Sequence, residues 1–102
     1  MYGIEDTIKD SYLESYVGKV VILREKYFKE EYRKPEYQLF LAQTGFGCEP
    51  DKIGRAVYGT FLYDGEYCRV ERNDVLGVIK EERMPEWAKS ALAKYREERM
   101  GK

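Results

Sequence analysis

The chain contains no histidine, so the usual acid–base residue at neutral pH is missing, and its carboxylates and thiols are the first candidates for chemistry. The residue types that could act together are Cys48, Glu49 and Asp51, which fall within four positions of one another, with Cys68 as the only other cysteine. Glu49 and Asp51 could work as a carboxylate pair or lend oxygens to a metal, but a two-residue spacing on a loop is no catalytic signature. A serine–histidine or cysteine–histidine pair is ruled out by composition. Cys48 stands next to Glu49, and a neighbouring anion disfavours the thiolate that a nucleophile needs. Two cysteines without histidine do not make a closed zinc site. The expectation is a protein that is not an enzyme and that has neither metal nor cofactor.

The same residues lie in Thr44–Gly54, where three glycines and a proline stand in eleven positions and exclude regular structure. Gly45-Phe46-Gly47 invites comparison with a phosphate cradle. It fails the P-loop pattern, which needs a lysine and a hydroxyl residue opening a helix, and the dinucleotide pattern, because a strand-like run follows the loop. The remaining reading is an ordered connection with turn-forming glycines, in which Phe46 and Ile53 are pinned to the core. If it has a function, a rigid surface for a protein partner suits it better than chemistry. Phe46, Glu49, Asp51 and Lys52 are its candidate partner-binding residues.

Around that loop the hydrophobic pattern sets out the elements. Ile4, Ile8, Tyr12 and Tyr16 recur every four residues, which predicts an amphipathic helix over Ile4–Val17 ended by Gly18. Lys19–Phe28 opens with Val20-Val21-Ile22-Leu23 and predicts a strand buried at its start. Tyr27–Pro35 is aromatic and charged. It reads as a connector with its rings against the sheet, or else as an exposed Tyr/Arg surface of the kind found at binding hot spots. Tyr32 and Arg33 are the candidate contact residues of the second reading. Tyr37–Gln43 predicts a central strand, and Arg55–Tyr63 the strand after the loop. Asp64-Gly65 predicts a two-residue hairpin placing Phe61 opposite Cys68, with Val57, Phe61, Cys68 and Val70 facing the core. Val75–Ile79 is a last short strand, and Pro85–Arg99 a helix anchored by Trp87. The expected fold is a single α+β domain over residues 1–102. Its antiparallel sheet of about five strands is curved or barrel-like, flanked by an N-terminal and a C-terminal helix.

Composition narrows the class. A 43% hydrophobic fraction supports a core, and a net charge of −1 argues against disorder. Apolar runs never approach the ~20 residues of a membrane span. The first residues lack the pattern of a secretory signal. We therefore expect a soluble protein of the cytoplasm, with reduced thiols. Residues 19–35 hold six basic and three acidic side chains, the only markedly basic stretch before the C-terminal helix. With ten tyrosines available for stacking, that supports a nucleic-acid-binding module through Arg24, Lys26 and Arg33. The near-neutral overall charge argues against it.

One further signal is a resemblance. The stretches Pro35-Glu36-Tyr37-Gln38-Leu39-Phe40, Gly45-Phe46-Gly47-Cys48, Gly54-Arg55-Ala56-Val57-Tyr58, Asp64-Gly65-Glu66 and Met84-Pro85-Glu86-Trp87-Ala88 carry it. They resemble a domain of accessory proteins from Gram-positive phages and integrative conjugative elements, sometimes attached to large polyvalent proteins. The similarity covers about half the chain, from Pro35 to Ala88. It implies a mobile-element origin and a host bacterial cell as the setting. Free-standing proteins of this size on such elements are often inhibitors of host defence, including anti-CRISPR proteins that bind Cas9. The leading expectation is thus a non-enzymatic inhibitor of a host defence protein, with Cas9 or its guide-RNA complex as candidate partner. The alternative is a small nucleic-acid-binding module used in replication or transfer of the element.

Overall fold

A computed structural model describes residues 2–24 and 34–100, with the side chains of 99 and 100 left out. Five strands are present: β1 Val20–Leu23, β2 Leu39–Thr44, β3 Ala56–Phe61, β4 Tyr67–Glu71 and β5 Val75–Val78. They form one antiparallel sheet in the order β4-β3-β2-β1-β5, and α1, Glu86–Met100, follows. The class is α+β as expected. Strand boundaries are tighter than the sequence suggests, chiefly because Pro35–Gln38 winds into a 3₁₀ turn ahead of β2.

The all-aliphatic β1 is buried on both faces because it lies between β2 and β5 with a layer on each side. One face of the sheet carries Val21, Phe40, Val57 and Val70, joined by Tyr16 and Tyr37. The other carries Val20, Ile22, Leu39 and Leu41, covered by Trp87, Ala88, Ala91 and Leu92 of α1. Tyr37 thus sides with Phe40 rather than with Leu39 and Leu41, since the 3₁₀ turn breaks the alternation there. Phe61 meets both Tyr37 and Phe40 edge-on, with ring centroids 5.6 and 5.2 Å apart.

The sheet is coiled but open. β4 and β5 are its opposite edges, yet only the 3₁₀ turn Arg72–Asp74 joins them. Four flat inter-strand spacings would separate those edges by about 19 Å. The four-residue step from Glu71 to Val75 spans at most about 14 Å even when extended. Only a sheet coiled toward its Val70–Val75 face satisfies both, and Val70 and Val75 do share one cluster.

An N-terminal helix is not formed. Ile4–Asp6 and Ser11–Leu13 are single 3₁₀ turns, separated by Asp10 in the left-handed region at φ 53°. The four-residue stripe is split: Tyr16 is buried, whereas Ile4 and Tyr12 are exposed. Tertiary pairing overrides the periodicity, because this segment hydrogen-bonds to the outer edge of β5. Thr7 bridges Ile79, Ile8 N–H donates to the Val78 carbonyl at 2.9 Å, and Lys80 N–H donates to the Asp6 carbonyl at 2.8 Å. Gly77 permits the approach, since a Cβ there would overlap Ser11 Oγ and crowd Thr7.

The hairpin after β3 also departs from expectation. Gly59, not Phe61, lies opposite Cys68, and Phe61 N–H donates to the Glu66 carbonyl at 3.0 Å. The loop is therefore Leu62–Gly65, four residues long, with Gly65 at φ 78°. Leu62, the first residue of that loop, donates its N–H to the Leu39 carbonyl. The register slips by two, an even number, so every side chain keeps its expected face. Val57, Phe61 and Val70 are buried as predicted, and Cys68 is half-buried at the edge of the same cluster.

Helix α1 lies within one residue of prediction at each end. Trp87 packs on the sheet and stands edge-on to Tyr63 at 6.0 Å. Buried Gln38 ties Tyr2 to the sheet. Its Nε2 donates to the carbonyls of Tyr2 at 2.9 Å and Leu23 at 3.1 Å, while its Oε1 accepts the Tyr2 N–H at 2.7 Å. Replacing Gln38 by the similarly sized Met should strand those groups in the interior and cost about 2–3 kcal/mol. Urea unfolding monitored at Trp87 measures this; an unchanged midpoint would show that the network contributes nothing.

Candidate functional site

The loop after β2 folds back at once onto the start of β3. Gly45, at φ 106°, and Gly47 make this possible, because a Cβ at either would overlap the carbonyl oxygen of Ala56 or Arg55. Phe46–Cys48 forms a 3₁₀ turn there, and its Cys48 thiol donates to the Thr44 carbonyl at 3.0 Å. The segment Tyr12–Val17 runs alongside. Tyr16 N–H donates to the Cys48 carbonyl at 2.8 Å, and Ser15 Oγ to Glu49 Oε1 at 2.9 Å.

Arg72 holds these two segments together. One guanidinium nitrogen donates to the Gly47 carbonyl at 2.7 Å, the other to the carbonyls of Tyr12 at 2.7 Å and Glu14 at 3.2 Å. The guanidinium carbon also sits 4.1 Å from the centre of the Tyr16 ring. A planar fork of donors can serve three carbonyls while stacking on an aromatic face; an ammonium cannot. No sequence pattern announces this role, because one arginine after a strand end has no recognisable signature.

Braced in this way, the loop turns its apolar side chains outward. Phe46 is 68% exposed and Ile53 95% exposed, so the expectation that both are pinned to the core is wrong. The space beneath the loop is already filled by Cys48 and Tyr16, both essentially inaccessible. On the neighbouring segment Tyr12 and Leu13 are more than 60% exposed, and Val17 is exposed as well. Five large apolar side chains therefore face solvent from two segments whose backbones share one guanidinium. Asp51 and Lys52 are exposed beside them, and Glu49 is half-buried under its bond to Ser15. Tyr32 and Arg33, and with them Lys26, lie outside the described residues. Arg24 is engaged with the Asn73 carbonyl at 3.0 Å.

The geometry disfavours nucleophilic chemistry at Cys48. Burial pushes its thiol up from the usual 9.0, the Glu49 carboxylate adds to that, and Arg72 opposes both more weakly. Adjacency to Glu49 was readable in the sequence; the larger effect, burial, was not. Among the described residues no group of three or more Cys, Asp or Glu is placed to hold a metal ion. No family model, no curated protein and no solved structure matches this chain.

Two predictions follow from the brace and from the thiol beneath it. Arg72→Lys and Arg72→Ala should both lose about 2–3 kcal/mol, since neither restores the fork. Comparable stability of the lysine variant and the parent would show that charge alone suffices. The acids Cys48 and Tyr16 both titrate above their usual 9.0 and 10.0, burial being the main cause for each. Their neutral forms favour the fold, so stability should hold below pH 9.0 and decline as pH rises through both values. In urea titrations Cys48→Ala should flatten the first part of that decline. A parent as stable at about pH 10.5 as at neutrality would contradict the linkage.

Proposed function

We propose that this chain is a non-enzymatic binding protein of a mobile element that inhibits a host defence protein, with Cas9 as the candidate target. The observation that carries the binding reading is the outward placement of Phe46 and Ile53 on a braced loop. A surface-exposed apolar pair on mobile backbone would lose much of its binding energy to ordering the loop. Held by Arg72, the loop is pre-organised, and that cost is reduced. Aromatic and aliphatic anchors of this kind carry most of the energy at protein interfaces. Tyr12, Leu13 and Val17 extend the surface, while Asp51 and Lys52 give it a charged border. Inhibition of host defence, and Cas9 in particular, rests on the resemblance of the Pro35–Ala88 stretches to mobile-element accessory proteins.

The test is a pull-down against Cas9 with and without guide RNA, paired with a DNA-cleavage assay. The parent chain should bind and slow cleavage. Phe46→Ala combined with Ile53→Ala should fold as stably as the parent, because both side chains are in solvent, yet weaken inhibition by about tenfold or more. Replacing Glu49, Asp51 and Lys52 by alanine should leave folding intact and weaken inhibition less. Undiminished cleavage across several Cas9 orthologues would remove that target. Inhibition that survives the Phe46/Ile53 change would place the binding surface elsewhere. Retention on single-stranded nucleic acid that weakens steeply with salt would favour the nucleic-acid module instead.

A further inference from the structure

A second feature lies away from the loop. Helix α1 crosses the sheet but leaves a cleft of about 440 Å³ beside the start of β1 and the end of β5. Its floor is apolar, formed by Val20 and Ile79 of the sheet with Met84 and Leu92 above them. Its rim is cationic: Lys19, Lys89 and Arg96 surround it, against the single carboxylate of Glu81. Lys89, Leu92, Ala93 and Arg96 fall on one stripe of the helix, at spacings of three and four. Ala93 and Gly18 also line it, and a Cβ added at Gly18 would meet nothing within 4 Å.

The rim cations are only lightly committed. Arg96 reaches the Gly18 carbonyl at 3.4 Å, and Lys89 lies 3.8 Å from Glu86 on the exposed helix surface. Lys19 has a close partner, Glu14 at 2.7 Å. Among the described residues Arg96 thus has no carboxylate partner, and Lys89 has only the long pair with Glu86. The volume falls within the range of small-molecule sites, which combine an apolar lining with a few placed polar groups.

We propose that this cleft binds a small amphipathic anion: an alkyl chain along Val20, Ile79, Met84 and Leu92, and a carboxylate or phosphate head between Lys89 and Arg96. The guanidinium of Arg96 can hold either head through two parallel hydrogen bonds. Binding here is independent of the Phe46/Ile53 surface, which belongs to the opposite layer of the sheet.

The experiment is a titration of the ¹⁵N-labelled chain with decanoate, decyl phosphate and decanol, followed by amide shifts. Saturable shifts should map to Gly18–Val20, Val78–Ile79 and the Lys89–Arg96 stretch of α1. Which of the two anions binds more tightly identifies the head group. Lys89→Glu with Arg96→Glu, both on the exposed helix surface, should weaken both anions by about tenfold or more while leaving decanol unchanged. Ala93→Trp, also exposed, should obstruct the trough and weaken all three. The Phe46/Ile53 variant should bind as the parent does. The proposal is overturned if no saturable shifts arise, if they map elsewhere, or if charge reversal leaves the anions bound as tightly as before.

Discussion

The irregular layer on one face of the sheet is held by the guanidinium of Arg72. Arg72 leaves the end of β4 and reaches three carbonyls on two segments far apart in sequence, with an aromatic ring beneath it. Hydrogen bonds from a charged donor are roughly twice as strong as neutral ones. Removing this donor would leave three carbonyls to find water at the border of the core. What it secures is not the sheet, which has its own ladders, but the layer laid over the Val21–Phe40–Val57 face. That layer has no regular secondary structure of its own. It consists of two 3₁₀ turns and a glycine-rich loop, which a small domain can keep in place only through specific side-chain bonds to backbone.

This explains which parts of the fold were legible in the sequence. Strands β1, β2 and β5, the alternation of β3 and β4, and α1 rest on residue patterns that their neighbours reinforce. The hairpin register was misjudged by two residues, yet the core faces survived because the error was even. The N-terminal segment was misread for the opposite reason. Its four-residue repeat is real, but the backbone found better partners on the β5 edge than within a helix. No local pattern announces a partner that lies some seventy residues away, as Ile79 does for Thr7.

The site was legible in position but not in orientation. The loop after β2 is marked by its glycines; in it Asp51 and Lys52 are exposed, while Glu49 is half-buried. Phe46 and Ile53 were assigned inward because large apolar residues usually go there. The core beneath was already filled by Tyr16, from a segment expected to be helical. One misread element therefore caused the other error. An apolar side chain that finds its place inside already taken is turned out to solvent, where it is available to a partner.

The connection between β4 and β5 also bears on how the chain reaches this state. Strands β2, β3 and β4 form a meander whose pairings are mostly local, so they can assemble early. Among the strands β5 pairs only with β1, more than fifty residues away, and it reaches β1 only once the sheet has begun to coil. Among the strand pairings this one carries the largest loop-closure cost, and contacts of high sequence separation slow folding. The three-residue turn that carries Arg72 shortens that search, because it delivers β5 to its partner as soon as the meander curls. The same short connection that forces the sheet to coil thus also brings the last strand back to the first.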